Sequence, residues 1–462
     1  MEGLGRRVIR GSAWMGGSVL CTRAVSLAGR LLVLAALLGP EQMGVFGVAA
    51  LATAALDSVS RLGIDQALIR HEHDIDALID TAWVLQLVRG LLLGGGLFLA
   101  AGAIADFFNA PEARAPLRAL ACAPLLLGLR NTAMVALNRD LRFGIIFGYE
   151  TGAVLLETVV AIAYALVWPT AWALVVGRLA AAVYQCGYSY VVVRRRPRFA
   201  FSASACRAIF AFSAWVLASA VLTMILVRGG DVVIGALLPL TVLAHYQLAY
   251  QLASMPAREV TRALNTVLLP AYSSVQTDRP RLARTYLASV GALWAILGLG
   301  ACLTVAGGGP LVHLALGTEW HPMIAFIPGL VVVGCGRAFG ANANTLYQAI
   351  GRPALTVVFQ VAMAVALGAL LFALGGRGGE GVVLALAITS VASVLARMVH
   401  IRRLLAIGWL RLLTTLGAPV VAALLAVFAA QALTPDPLVG AGTALGVALG
   451  VMILVVVQSV MG

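Results

Sequence analysis

Ten arginines lie inside long apolar stretches of this chain: Arg23, Arg30, Arg61, Arg89, Arg130, Arg178, Arg228, Arg258, Arg262 and Arg337. A guanidinium stays charged at any physiological pH. Its planar fork donates two parallel hydrogen bonds, a geometry that matches phosphate oxygens. On insertion scales an arginine at mid-helix in a bilayer costs about 3 kcal/mol, so such a set must face protein or water rather than lipid. Arg61 and Arg130 stand near span ends, where a long side chain reaches the interface. Arg23 and Arg30 are seven residues apart, close to two helical turns, and share a face with Ser26 and Leu27 between them.

Six carboxylates accompany these arginines within the spans: Asp57, Asp65, Glu150, Glu157, Asp231 and Glu259. Asp57, Arg61 and Asp65 stand at four-residue steps and can neutralise one another. Arg228 and Asp231 are three apart, and Arg258, Glu259 and Arg262 cluster. Arg23, Arg30 and Arg89 have no acid at helical spacing. On one reading each arginine pairs with an acid or carbonyl on a neighbouring helix and locks packing. On the other, unpaired arginines line a water-filled cavity and attract an anion. The surplus of four positive charges favours the second for the set. Arg23, Arg30, Arg89, Arg228, Arg258, Arg262 and Arg337 are therefore the expected anion-binding residues. Asp57, Asp231 and Glu259 are the acids that could titrate beside them, with a structural ion pair as the alternative role.

The elements that must position these groups follow from composition. Apolar residues make up 61% of the 462 and charged residues 11%, against about 25% charge in a typical soluble protein. Apolar runs of about 18 to 25 residues recur, the length that spans a hydrocarbon core. The expectation is an all-α polytopic membrane protein of about fourteen transmembrane helices, at roughly 10–38, 42–68, 79–106, 115–136, 147–168, 170–192, 207–235, 239–269, 284–305, 323–348, 354–375, 381–400, 412–433 and 438–460. The first run is too long for a cleavable signal peptide. The six cysteines, Cys21, Cys122, Cys186, Cys206, Cys302 and Cys335, form no C-x-x-C pair and read as packing residues. No metal site or cofactor is expected.

All 32 basic residues are arginine, and the net charge is +13. No basic soluble segment exists to hold nucleic acid. Nineteen arginines fall on segments sharing the side of the N-terminus; only Arg114, Arg118 and Arg377 fall on the other. The positive-inside rule then places both termini in the cytoplasm. The longest outer connection, 306–322, holds only Glu319, His313 and His321. That is too little for an outer catalytic domain, so an enzyme is not expected. His245 is expected at the outer interface.

The basic stretch "RRRPRF" (Arg194–Phe199) divides two similar halves. "SAW" occurs at Ser12–Trp14 and again at Ser213–Trp215, and "LLGPEQMGVFGVA" (Leu37–Ala49) precedes "LLPLTVLAHYQLA" (Leu237–Ala249) by about 200 residues. The expected organisation is an N-lobe of six helices at 1–193, a cytoplasmic linker at 194–206, a six-helix C-lobe at 207–403, and two extra helices at 404–462. The lobes would be related by a pseudo-two-fold along the membrane normal, a recognised transporter plan.

With these residues in view, the chain resembles the bacterial polysaccharide-repeat flippases (Wzx-type transporters), and within them the colanic-acid-like branch. These belong to the multidrug/oligosaccharidyl-lipid/polysaccharide exporter superfamily. The resemblance rests on "LGPEQMGVFGVA", "IADFFNAPE" (Ile104–Glu112), "LNRDLRF" (Leu137–Phe143), "DVVIGALL" (Asp231–Leu238) and "YQLAYQLASMP" (Tyr246–Pro256). It continues through "LLPAYSSVQTDRPRL" (Leu268–Leu282), "GTEW" (Gly317–Trp320) and "IGRPA" (Ile350–Ala354), taken in order and spacing. It implies translocation of undecaprenyl-pyrophosphate-linked oligosaccharide repeat units from the inner to the outer leaflet of the bacterial inner membrane, by alternating access, for exopolysaccharide biosynthesis. It also implies coupling to a proton or ion gradient, a monomeric protein in membrane lipid, and a polysaccharide polymerase and chain-length regulator as partners. The alternatives are a peptidoglycan-precursor (lipid II) flippase, a multidrug/cation antiporter of the same superfamily, and a membrane polysaccharide polymerase. A cation antiporter needs cavity acids where this chain carries surplus arginine.

Overall fold

The structure, a computed structural model, describes Val25, Gly29 and residues 33–59, 75–134, 143–202 and 221–409. Among these residues every regular element is helical. The helices are α1 (Ala35–Val59), α2 (Ile75–Phe107), α3 (Arg114–Leu120), α4 (Cys122–Gly128), α5 (Phe143–Val167) and α6 (Trp172–Val192). They continue with α7 (221–237), α8 (Leu240–Ser274), α9 (Arg279–Ala315), α10 (Ile327–Ala349), α11 (Ala354–Leu374) and α12 (Gly379–Leu405). Seven stretches among the described residues are long and apolar enough to cross a bilayer. The chain is a multi-pass membrane protein.

Helix boundaries follow local chemistry. Gly39, at φ 67° and ψ 168°, breaks the path ahead of Pro40, between the spans expected at 10–38 and 42–68. A side chain at that φ would be strained, and the following proline removes a donor. Asp278 caps α9 by accepting from the Arg281 N–H at 3.1 Å, with Pro280 inside the first turn. Two expectations need correction. The span at 115–136 is instead α3 and α4, interrupted at Ala121, with Pro116 and Pro124 in its path. The outer connection at 306–322 is mostly helix: α9 runs on to Ala315, and Thr318–Phe326 forms a 3₁₀ segment burying Trp320 and Met323. The run of glycines ahead of Pro310 reads as a loop in water, but a bilayer leaves backbone groups no partner except the helix itself.

The described residues sort into two compact units. One comprises those up to Arg228 together with Pro239–Ala244; the other comprises Gly229–Leu238 and those from His245 onward. In the first unit α5 and α6 form an antiparallel hairpin through the turn at Trp168–Ala171. Gln42 of α1 accepts the Ala171 N–H at 2.9 Å, satisfying one orphan donor at the start of α6. The Tyr184 and Tyr188 hydroxyls donate to the Gly148 and Ile145 carbonyls at 3.0 and 3.2 Å. A methyl added to Gly152 would fall on the Tyr184 hydroxyl, so glycine is what admits the ring. In the second unit the core closes where α8, α9, α10 and α12 meet around Tyr272, Tyr286, Phe339 and Tyr347.

Candidate functional site

Arg23, Arg30, Arg61 and Asp65 lie outside the described residues. In the first unit Arg89 of α2 meets Asp57 of α1: Nη2 to Oδ1 is 2.5 Å, with the Asp57 carbonyl at 3.4 Å. Arg89, which has no acid at helical spacing, thus meets one on another helix. The sequence spacing missed the pair because its members are 32 residues apart. Arg178 of α6 likewise reaches Glu157 of α5 at 3.4 Å. Arg130 donates to the Tyr149 hydroxyl at 3.2 Å, with its guanidinium carbon 5.9 Å from the ring centroid. Glu150 is exposed.

In the second unit α8 carries a polar stripe. Gln247, Tyr250, Gln251, Ser254 and Arg258 recur at helical steps through an otherwise apolar span. Asp231 of α7, only 1% exposed, accepts from the Gln247 amide at 3.0 Å. Arg337 of α10 donates to the Tyr250 hydroxyl and lies 5.2 Å from that ring's centroid. Tyr250 stacks on Tyr246 with centroids 6.1 Å apart. Arg258 reaches back to the Gln251 carbonyl at 3.0 Å, on a helix that runs through Pro256, which has no N–H to donate. Arg258 and Arg262 are exposed and Glu259 is half-buried; Arg228, which falls in the first unit, is half-buried too. Of the residues expected from sequence, Asp231 and Arg337 are thus joined to α8 by groups the sequence reading did not single out: Gln247 and Tyr250. The available signal was their recurrence at helical spacing inside "YQLAYQLASMP".

A ring with an adjacent guanidinium suits a sugar face beside a phosphate, since the ring supplies apolar contact and the fork supplies donors. Buried Asp231 adds an acceptor held by an amide. His245, expected at the outer interface, is buried within the protein: its Nε2 lies 2.8 Å from the Glu319 carbonyl, and its ring meets Trp320 edge-on.

Residues 33–325 match the family model described as polysaccharide biosynthesis protein. The chain belongs to this family. The lipopolysaccharide biosynthesis protein WzxC of Escherichia coli (strain K12) is 26% identical over 365 residues, 78% of this chain and 73% of that protein. The succinoglycan biosynthesis transport protein ExoT of Rhizobium meliloti (strain 1021) is 27% identical over 345 residues, 69% of this chain and 70% of that protein. Among solved structures, the lipid II flippase MurJ in an inward closed conformation superposes with a TM-score of 0.71 at 12% identity, covering 98% of each chain. An inward-facing multidrug-resistance MATE transporter superposes with a TM-score of 0.55 at 14% identity, covering 84% of this chain and 94% of that one. At these identities the superpositions speak for the fold alone. The resemblance to Wzx-type polysaccharide transporters read from the landmarks is borne out by the family and its relatives.

Proposed function

We propose that this protein is a flippase for lipid-linked oligosaccharide repeat units. It carries undecaprenyl-pyrophosphate-linked units across the bacterial inner membrane by alternating access, without chemical change to the cargo. The family match over 33–325 carries this reading, and WzxC and ExoT, named for polysaccharide biosynthesis and transport, support it. The arginines Arg228, Arg258, Arg262 and Arg337, together with Arg23 and Arg30, hold the pyrophosphate. Arg89 adds little net charge beside Asp57. Tyr250 offers a ring face to sugar, and the prenyl tail stays in lipid. Asp231 and Glu259 are the acids through which a proton or ion gradient would act. The N- and C-termini are cytoplasmic, two six-helix lobes with two further helices alternate access, and polymerase and chain-length regulator act downstream.

The experiment removes the gene and restores it as wild type or as Arg258→Gln with Arg337→Gln at equal membrane abundance. Lipid-linked oligosaccharide exposed on the outer leaflet is then measured. Wild type should restore exposure and the double variant should not. An exposed pool unchanged by the deletion, in a strain with no second flippase, overturns the reading.

A further inference from the structure

The basic linker does not hang free after α6. Val193 leaves the helix extended, at φ −98° and ψ 113°, and the chain that follows is held to the first unit by side chains. Asp80 of α2 accepts the Arg198 N–H at 3.1 Å and pairs with the Arg195 guanidinium at 3.5 Å. Thr81 accepts the Ser202 N–H at 3.1 Å. Asn131 donates its amide to the Arg195 carbonyl at 2.7 Å. Phe199 meets Trp83 edge-on at 4.7 Å. Burial beside a second guanidinium, that of Arg198, lowers the Arg195 pKa, and the nearby Asp80 carboxylate opposes that cost.

This clamp sorts the arginines by parity. Arg195 and Pro197 are half-buried, while Arg194, Arg196 and Arg198 are exposed. Exposure alternates as it does along an extended chain, where every second side chain shares a face, so Arg194, Arg196 and Arg198 lie together as a row on the exposed side. Arg196 lies over Tyr190 and donates to its carbonyl at 2.7 Å. Arg194 and Arg198 make no ion pair among the described residues. Val191, Phe199 and Phe201 flank the row at 82%, 80% and 62% exposure. Such apolar exposure is unfavourable in water and favourable among headgroups. The level fits as well: the apolar span of α2 begins at Ile79, one residue before the clamping Asp80.

We propose that this clamped segment, 191–201, is a docking surface for anionic phospholipid headgroups of the leaflet it faces, the cytoplasmic one on the orientation adopted above. The arginines bind the headgroup phosphates while Phe199 and Phe201 enter the interface. The clamp presets the spacing of the row, so binding depends on Asp80 as well as on charge.

The test uses the purified full-length chain in neutral phosphatidylcholine nanodiscs. Phosphatidylglycerol retention is read by native mass spectrometry across a salt series, and thermal melting checks that each variant is folded. Arg194→Gln with Arg196→Gln and Arg198→Gln should weaken retention about tenfold or more and flatten its salt dependence. Asp80→Asn should also weaken it, although the substitution makes the chain more basic by one charge. Retention by the triple variant equal to wild type overturns the surface. Asp80→Asn binding as tightly as wild type, or more so, overturns the preset row and leaves net charge as the whole effect. If the triple variant loses farnesyl pyrophosphate but keeps phosphatidylglycerol, the row serves a lipid pyrophosphate and the phospholipid assignment is overturned. No arm measures transport, so the flippase reading stands or falls separately.

Discussion

In the first unit Arg89, Arg178, Arg195 and Arg114 each meet a carboxylate, at 2.5, 3.4, 3.5 and 2.9 Å. In the second, Arg337, Arg397 and Arg402 meet the rings of Tyr250, Phe359 and Trp409, with centroids 5.2, 5.4 and 4.5 Å away. The contrast is one of charge. A carboxylate cancels a guanidinium, whereas a ring face holds it through the quadrupole and leaves its charge intact. Arg397 and Arg402 make no ion pair among the described residues, and Arg397 is only 6% exposed. The first unit also holds Arg118, Arg130 and Arg196 over the rings of Phe98, Tyr149 and Tyr190, so what sets the second unit apart is a buried arginine, Arg397, held by a ring with no ion pair among the described residues.

The largest effect that would test this contrast is on transport. Arg258→Gln with Arg337→Gln should lower outer-leaflet exposure of lipid-linked oligosaccharide by about tenfold or more, since each charge-assisted hydrogen bond to phosphate contributes roughly 1.5–3 kcal/mol. Asp57→Asn with Arg89→Gln removes a neutral pair and should leave exposure within about twofold. The reverse order would mean that the paired arginines of the first unit contact substrate and that those on α8 and α10 are structural.

The next effect is on stability and should differ in sign between the units. Asp57→Asn leaves Arg89 without its carboxylate. Because Asp57 is about half exposed, the loss should be modest, roughly 1 kcal/mol. Arg397→Met replaces a buried cation that makes no ion pair among the described residues with an apolar chain of similar reach. Removing the desolvation cost of that charge should leave stability unchanged or raise it. Thermal melting of the purified chain in detergent reads both. If Arg397→Met melts well below Asp57→Asn, the ring contacts hold that charge as firmly as a carboxylate would, and the contrast fails.

Part of this was legible in the sequence because it depends on local chemistry. The membrane class follows from run length, and the break at Gly39–Pro40 follows from two residues that cannot continue a helix. The buried Asp231 was legible because a carboxylate inside an apolar run demands a partner. The partner itself was not, since Gln247 sits on the next helix in a stretch whose polar residues pass for ordinary variation. Arg89 and Asp57 were missed for the same reason: helical spacing reports only on neighbours along one helix. The connection expected at 306–322 lies largely in helix because glycines that favour turns in water find in a bilayer no backbone partner but the helix. The linker was legible as a charged divider, but its attachment to Asp80, Thr81 and Asn131 depends on residues brought together by folding.

The smallest expected effect separates the two units by their tyrosines. Tyr184→Phe removes one hydrogen bond to the Gly148 carbonyl, an oxygen that still accepts within its own helix. The loss should be about 0.5–1 kcal/mol. Tyr272 is fully buried, and its hydroxyl meets both the Ser289 hydroxyl at 2.5 Å and the Asn342 side-chain carbonyl at 3.1 Å. Tyr272→Phe strips a bond from two buried polar groups at once, and Asn342 already holds an amide nitrogen with no partner among the described residues. Leaving buried groups unsatisfied costs about 1–3 kcal/mol. The melting shift for Tyr272→Phe should therefore exceed that for Tyr184→Phe. Equal shifts would mean that water reaches the Tyr272 site and replaces the lost hydroxyl. The second unit would then be hydrated where the structure packs its core most tightly, and its ring-held arginines would need to be reconsidered as solvated ones.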